Sequence, residues 1–108
     1  MRIGEIILIP FPFSELNKTK VRPAVVITET KDKYKDLVVS AISSVVPKKL
    51  SEREFIVETG YTNNLRVNSI VKVDRIVTVK RHEMIAELGK LNNEEMQSFK
   101  SILIEMIR

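Results

Sequence analysis

The spacing of apolar residues changes once along this chain, and that change limits the folds open to it. Up to about residue 80 they come in short, β-branched runs separated by polar or proline-bearing breaks, whereas after Asn92 they recur every three or four residues. The first pattern is that of strands and the second that of a single closing helix. Ile3 to Ile9 predicts a strand that stops at a stiff turn, Pro10-Phe11-Pro12, because a ring-locked residue without an N–H does not continue a sheet interior. Ser14 to Lys20 is polar except for Leu16 and predicts a loop, and Val21 to Thr28 predicts a second strand, apolar enough to be buried on both faces.

Leu37 to Val46 predicts the third strand, set between the Lys31 to Asp36 charge cluster and Pro47-Lys48-Lys49. A period of two puts Leu37, Val39, Ala41 and Ser43 on one face and Val38, Ser40, Ile42 and Ser44 on the other. Phe55 to Glu58 is a short fourth strand, Gly60 to Asn64 carries turn chemistry, and Ser69 to Val79 is one long strand or two, interrupted near Asp74-Arg75. Five or six short strands imply a small barrel or sandwich. Asn92 with Glu95 three residues on is a capping box that starts the helix, and Met96, Phe99, Leu103 and Met106 form its apolar stripe, widened by Ile102 and Ile107.

With 108 residues the chain has the size of one domain, residues 1–108, without repeats or low-complexity segments. It holds no cysteine and one histidine, which excludes disulfide frameworks, thiolate metal centres and cysteine nucleophiles, and makes multi-histidine sites hard to build. We expect no metal and no cofactor. The longest apolar runs, Ile6 to Phe13 and Pro23 to Ile27, fall far short of the roughly 18 residues a bilayer requires. The opening residues do not read as a signal peptide, so the expectation is a cytoplasmic protein with no membrane attachment.

The net charge of +4 is unevenly placed. Residues 91–108 carry Lys100 and Arg108 against Glu94, Glu95 and Glu105, a net of −1, which leaves +5 on residues 1–90. Lys18, Lys20 and Arg22 lie within five residues without an acid, so an anionic partner such as a phosphate backbone is expected there. The alternative is ordinary solvated charge. Arg22 stands out because Pro23 holds the residue before it extended, giving a rigid base to a planar, permanently charged fork that matches two phosphate oxygens. A carboxylate partner, Glu15 or Glu29, is the competing use of that arginine. His82 lies in the charged stretch Lys80-Arg81-His82-Glu83 without a second histidine, and reads as a surface residue. Phe11, Phe13 and Tyr61 could stack on bases, although core packing is the commoner use of both phenylalanines.

Several segments together resemble the MazF/PemK toxins of bacterial toxin–antitoxin systems. They are Gly4-Glu5-Ile6-Ile7-Leu8-Ile9-Pro10-Phe11, Val21-Arg22-Pro23-Ala24-Val25-Val26-Ile27, Val39-Ser40-Ala41-Ile42-Ser43-Ser44, and Asn68 to Ile76. The resemblance implies a mainly β fold with a C-terminal helix, a small SH3-like barrel of the type shared by MazF and CcdB. It also implies a sequence-selective endoribonuclease that needs no metal and cuts single-stranded RNA by 2′-OH attack, leaving a cyclic phosphate and a 5′-OH. Arg22 and Ser43 occupy the family's catalytic positions. Asn17, Lys18, Thr19, Lys20, Ser44 and Lys48 are the expected RNA contacts, with Lys49 extending the track.

A homodimer neutralised by a cognate antitoxin is the implied assembly. Two departures from the family pattern stand in Asn17-Lys18-Thr19-Lys20, which lacks the usual glycine and the acid that some members place five residues before the arginine. The alternatives on the same fold are a CcdB-like protein inhibitor of gyrase and a nucleic-acid-binding module without catalysis.

Overall fold

The computed structural model describes residues 1–12 and 19–108, so the expected RNA contacts Asn17 and Lys18, and Phe13, lie outside the described residues. The strands are β1 (Glu5–Pro12), β2 (Thr19–Glu29), β3 (Leu37–Ser43), β4 (Glu54–Val57), β5 (Ser69–Val79) and β6 (Ala86–Lys90), followed by the helix α1 (Asn93–Met106). All pairings are antiparallel, in the order β4-β5-β3-β2-β1-β6, and the sheet curls into a half-barrel. This is the mainly β architecture with a closing helix that the apolar spacing predicts. Among the described residues no helix is long and apolar enough to cross a membrane.

Both faces of the sheet are apolar. Ile6, Val25, Ile42, Phe55, Val57, Val71 and Val73 form one core with Leu91 and with Phe99 of α1. The rings of Phe55 and Phe99 meet in a tilted contact with centroids 6.2 Å apart, and full burial of such a side chain contributes about 1.5–3 kcal/mol. Ile102, Leu103 and Met106 pack against that core. Ile107 lies past the end of α1 and is 85% exposed, so the buried stripe is narrower than its sequence period implies. Ile7, Ile9, Phe11, Ala24, Val26, Leu37, Val39 and Val79 form the second core on the other face. Alternate residues of β1 and β2 thus enter different cores, which accounts for the near-continuous apolar runs.

β1 corrects the expected stop at Pro10. It continues through Pro10 and Pro12, opposite Val21 and Thr19. Pairing with β6 covers only Glu5 to Leu8, and the Leu8 carbonyl accepts from Ile85 N–H on that side. Residues 10 and 12 direct their backbone the same way, toward an edge that β6 has already left, so their missing N–H groups break no rung. β2 correspondingly begins at Thr19, two residues inside the expected loop. β6, rich in charge and holding Gly89, has no apolar alternation of its own and exists through its pairing with β1.

β5 is one strand with a break where the sequence places one. Ser40 pairs with Ile76 and Ala41 with Lys72, leaving Val73, Asp74 and Arg75 bulged out of the ladder. The bulge is stitched rather than left open. Buried Ser40 donates its hydroxyl to the Val73 carbonyl at 2.8 Å, and Val73 N–H donates to the Arg53 carbonyl at 3.0 Å.

Candidate active site where β2 and β3 part

Pro23 decides where the sheet opens. Because Leu8 turns its backbone toward β6, the Leu8–Pro23 pair is a non-hydrogen-bonded one, and the backbone of Pro23 faces β3 instead. No N–H is available there, and the β2–β3 rungs end at Ala24–Ala41. Beyond that rung the strands part, and Val21, Arg22 and Pro23 on one side face Ile42 and Ser44 on the other across an open cavity of about 590 Å³. Leu8 and Leu88 contribute apolar surface, and the segment from Asn64 to Val67, with Ser69, forms a further part of the described wall.

That last wall is pinned by a clasp onto β6. Buried Asn63 accepts from Gly60 N–H at 3.1 Å and Leu65 N–H at 3.0 Å through Oδ1, and donates to the Glu58 carbonyl at 2.7 Å. The Lys90 N–H donates to the Thr62 carbonyl at 2.7 Å, and Asn64 Nδ2 donates to the Leu88 carbonyl. Gly89 lies so close that a Cβ on it would overlap the Thr62 carbonyl. The loop between β4 and β5 is thereby fixed against β6, and Leu65-Arg66-Val67 face the parted strands.

Arg22 is half-buried and lines the cavity. Glu29, one of the two carboxylates considered for it, instead accepts from the Met1 ammonium at 2.9 Å and pairs with Arg81. The Met1 hydrogen bond outweighs the partial burial of Glu29 and, with the charge of Arg81, holds its carboxyl below the usual range. Ser43 closes β3 and stays half-exposed, its oxygen accepting from Val45 N–H at 3.1 Å. Ser43 does not line the cavity; Ser44, exposed beside it, does.

Lys20 is exposed on β2 and does not line the cavity, and Thr19 begins that strand. Lys48 is exposed in the β3–β4 connection, away from it. Lys49 lines a neighbouring cavity of about 460 Å³ together with Lys72 and Val45. Phe11 is buried in the second core, Tyr61 is fully exposed, and His82 sits at the other end of β2 and β3 in a crevice with Tyr34.

Arg66 and Ser69 were not among the candidates read from the sequence. Their only signal there is Asn63-Asn64 ahead of an arginine flanked by Leu65 and Val67, and the strand they dock on is distant in sequence. Among the described residues no three or more His, Asp or Glu side chains gather in a way that could hold a metal ion.

The described lining of the cavity includes Arg22, Arg66, Ser44 and Ser69, cationic and hydroxyl groups of the kind that receive an anion. The comparisons with known proteins agree with this architecture. The family model of the PemK-like, MazF-like toxin of type II toxin–antitoxin systems matches residues 2–107. Among solved structures, the Mycobacterium tuberculosis toxin MazF-mt6 superposes with a TM-score of 0.73 at 17% identity, covering 95% of each chain. An endoribonuclease in complex with its cognate antitoxin from mycobacterial species superposes with a TM-score of 0.68 at 15% identity, covering 97% of this chain and 92% of that one. No curated protein matches in sequence. A match over nearly the full length, on the same half-barrel with its closing helix, places this chain in the PemK-like, MazF-like family of type II toxins.

Proposed function

We propose that the protein is an endoribonuclease toxin that cuts single-stranded RNA without a metal. The observation that carries this is the cavity at the β2–β3 split, which Arg22 and Arg66 line together with Ser44 and Ser69. In the reaction the 2′-oxygen of a ribose forms a bond to the adjacent phosphorus and loses its proton. The bond from phosphorus to the 5′-oxygen breaks, and that oxygen takes up a proton. A cyclic phosphate and a 5′-OH result. The nucleophile belongs to the substrate, so the protein has to align it and stabilise the charge that develops on the nonbridging oxygens.

Arg22 is the group for that charge, since a guanidinium is a planar cation that offers two parallel donors. Ser43 serves as a hydroxyl donor to a nonbridging oxygen. Its own oxygen already accepts from Val45 N–H, which leaves the hydroxyl proton to be given away. Ser44, Lys20 and Lys48, with Asn17, Lys18 and Thr19, supply contacts along the strand. We assign the protein to the cytoplasm, as a homodimer that buries Ile104 of α1 and Ile107 just past its end, both left exposed. An acidic antitoxin segment is its neutralising partner.

The test is incubation of purified protein with end-labelled single-stranded RNA in EDTA. Discrete cuts with 5′-OH ends support the reading. Retention without cutting would instead favour a binding module, and neither cutting nor retention would favour an inhibitor of another protein.

A further inference from the structure

Resting on that reading, we propose that Arg66 is a second phosphate-gripping residue, holding a phosphate next to the scissile one while the intervening base enters the cavity between Arg66 and Arg22. The two arginines come from different parts of the chain, β2 and the β4–β5 loop, and line one cavity. Among the described residues Arg66 forms no ion pair. It is exposed and flanked by half-buried Leu65 and by Val67, which is 51% exposed at the cavity wall. An arginine meant only for solvation has no need of a fixed loop. This one stands on a segment tied down by Asn63, Asn64 and the Lys90–Thr62 hydrogen bond, so the fork is presented with little ordering left to do on binding.

The space between the arginines suits a base better than another phosphate. Leu8, Leu65, Val67 and Leu88 give it apolar walls, while Asn64 and Ser69 offer polar atoms to a base edge. Two cations lining one cavity with apolar walls match the alternation of phosphate, base and phosphate in a single strand. Scissile chemistry belongs to Arg22, and Arg66 fixes the register of the strand.

The experiment uses the full chain and an RNA carrying a 2′-deoxyribose at the cleavage site, which binds and is not cut. Affinity is measured against salt for the parent, Arg66→Ala and Arg66→Lys, with a neutral methylphosphonate placed at each linkage in turn. Arg66→Ala is expected to weaken binding about ten- to a hundredfold, the usual value of a charged hydrogen-bond pair. Its log–log salt slope should fall by about 0.7, one single-strand phosphate. Arg66→Lys should recover the slope without the full affinity. One methylphosphonate, away from the scissile linkage, should cost the parent what the alanine variant costs and cost that variant nothing more. If Arg66→Ala keeps the parental slope, or every methylphosphonate costs variant and parent alike while the parent binds and cuts RNA, the assignment of Arg66 is overturned alone. A parent that neither binds nor cuts overturns the RNA reading and this assignment together.

Discussion

Arg22 shares its cavity with Ser44, yet the residue across the ladder from it is Ser43: the last rung of β2 and β3 joins Ala24 to Ala41, and the same register carried two residues on sets Arg22 opposite Ser43. Successive side chains of a strand leave opposite faces, so the two serines have different surroundings. Ser43 lies on the face of Ala41 and gives its oxygen to Val45 N–H, whereas Ser44 follows Ile42 toward the cavity. The expected outcome is a division of labour. Arg22→Ala should slow cleavage about 10²- to 10³-fold and Ser43→Ala about 10- to 10²-fold, the scale of losing one positioned donor. Ser44→Ala should raise KM with kcat near the parental value. Single-turnover cleavage of end-labelled RNA reads all three, and a parental rate in Arg22→Ala would remove that residue from the mechanism.

At the far end of the same strand pair, Asp32 organises the β2–β3 connection. Its Oδ1 accepts from the Thr30 hydroxyl at 2.8 Å, Tyr34 N–H at 3.1 Å and Lys35 N–H at 3.2 Å. The Thr30 hydrogen bond, the largest influence, outweighs the opposing cost of burial and, with the backbone donors of Lys35 and Tyr34, holds its carboxyl below the ordinary aspartate range. A carboxylate with a lowered folded pKa contributes stability above its unfolded pKa, and loses it as pH falls through the folded value. Asp32→Ala is therefore expected to lower Tm at neutral pH, with the difference from the parent shrinking only as pH falls below the ordinary aspartate pKa of about 3.9 and through the lower folded value. RNA cleavage at neutral pH should be unchanged. Equal melting temperatures at neutral pH would show that the three hydrogen bonds contribute nothing.

Ser40 has a role that no surface reading of the chain discloses. Its hydroxyl is the partner of the Val73 carbonyl, which the bulge in β5 has taken out of the ladder. Removing the hydroxyl leaves a buried acceptor unsatisfied, at a cost of about 1–3 kcal/mol. Ser40→Ala should show that loss in urea denaturation with an unchanged m-value. A smaller effect than about 0.5 kcal/mol would mean that Val73 finds another donor.

What could be read from the sequence divides along the range of the interactions involved. The start of α1 was legible because both halves of its cap are local: Glu95 N–H donates to Asn92 Oδ1 at 2.8 Å and Asn92 N–H to Glu95 Oε1 at 2.9 Å. The break at Asp74-Arg75 was legible because two exposed charges interrupt an apolar run. Arg22 was legible because the ring that restrains it is the next residue. β1 running on through Pro10 and Pro12 was not, since its tolerance depends on where β6 stops, about 75 residues later. Arg66 was missed for the same reason: its placement is made by Asn64 and Thr62 against Leu88 and Lys90, contacts that no local pattern encodes.

Pro23 joins fold and site most directly, and replacing it separates their contributions. Pro23→Ala restores an N–H that faces Ile42 of β3, so the ladder can extend one rung past Ala24–Ala41 and draw Arg22 toward Ser43. The new hydrogen bond contributes about 0.5–1.5 kcal/mol, and the loss of proline's restraint on the unfolded chain costs about 0.4–1 kcal/mol, so the two nearly cancel. Stability should hardly change. Activity should fall, because a zipped strand pair narrows the cavity and Arg22 loses the stiff extended base that places its guanidinium. Cleavage rate and Tm measured on the same preparations decide the matter: a slower variant with a parental Tm is expected. A variant that cuts as fast as the parent would show that the parting of β2 and β3 is not what builds the site.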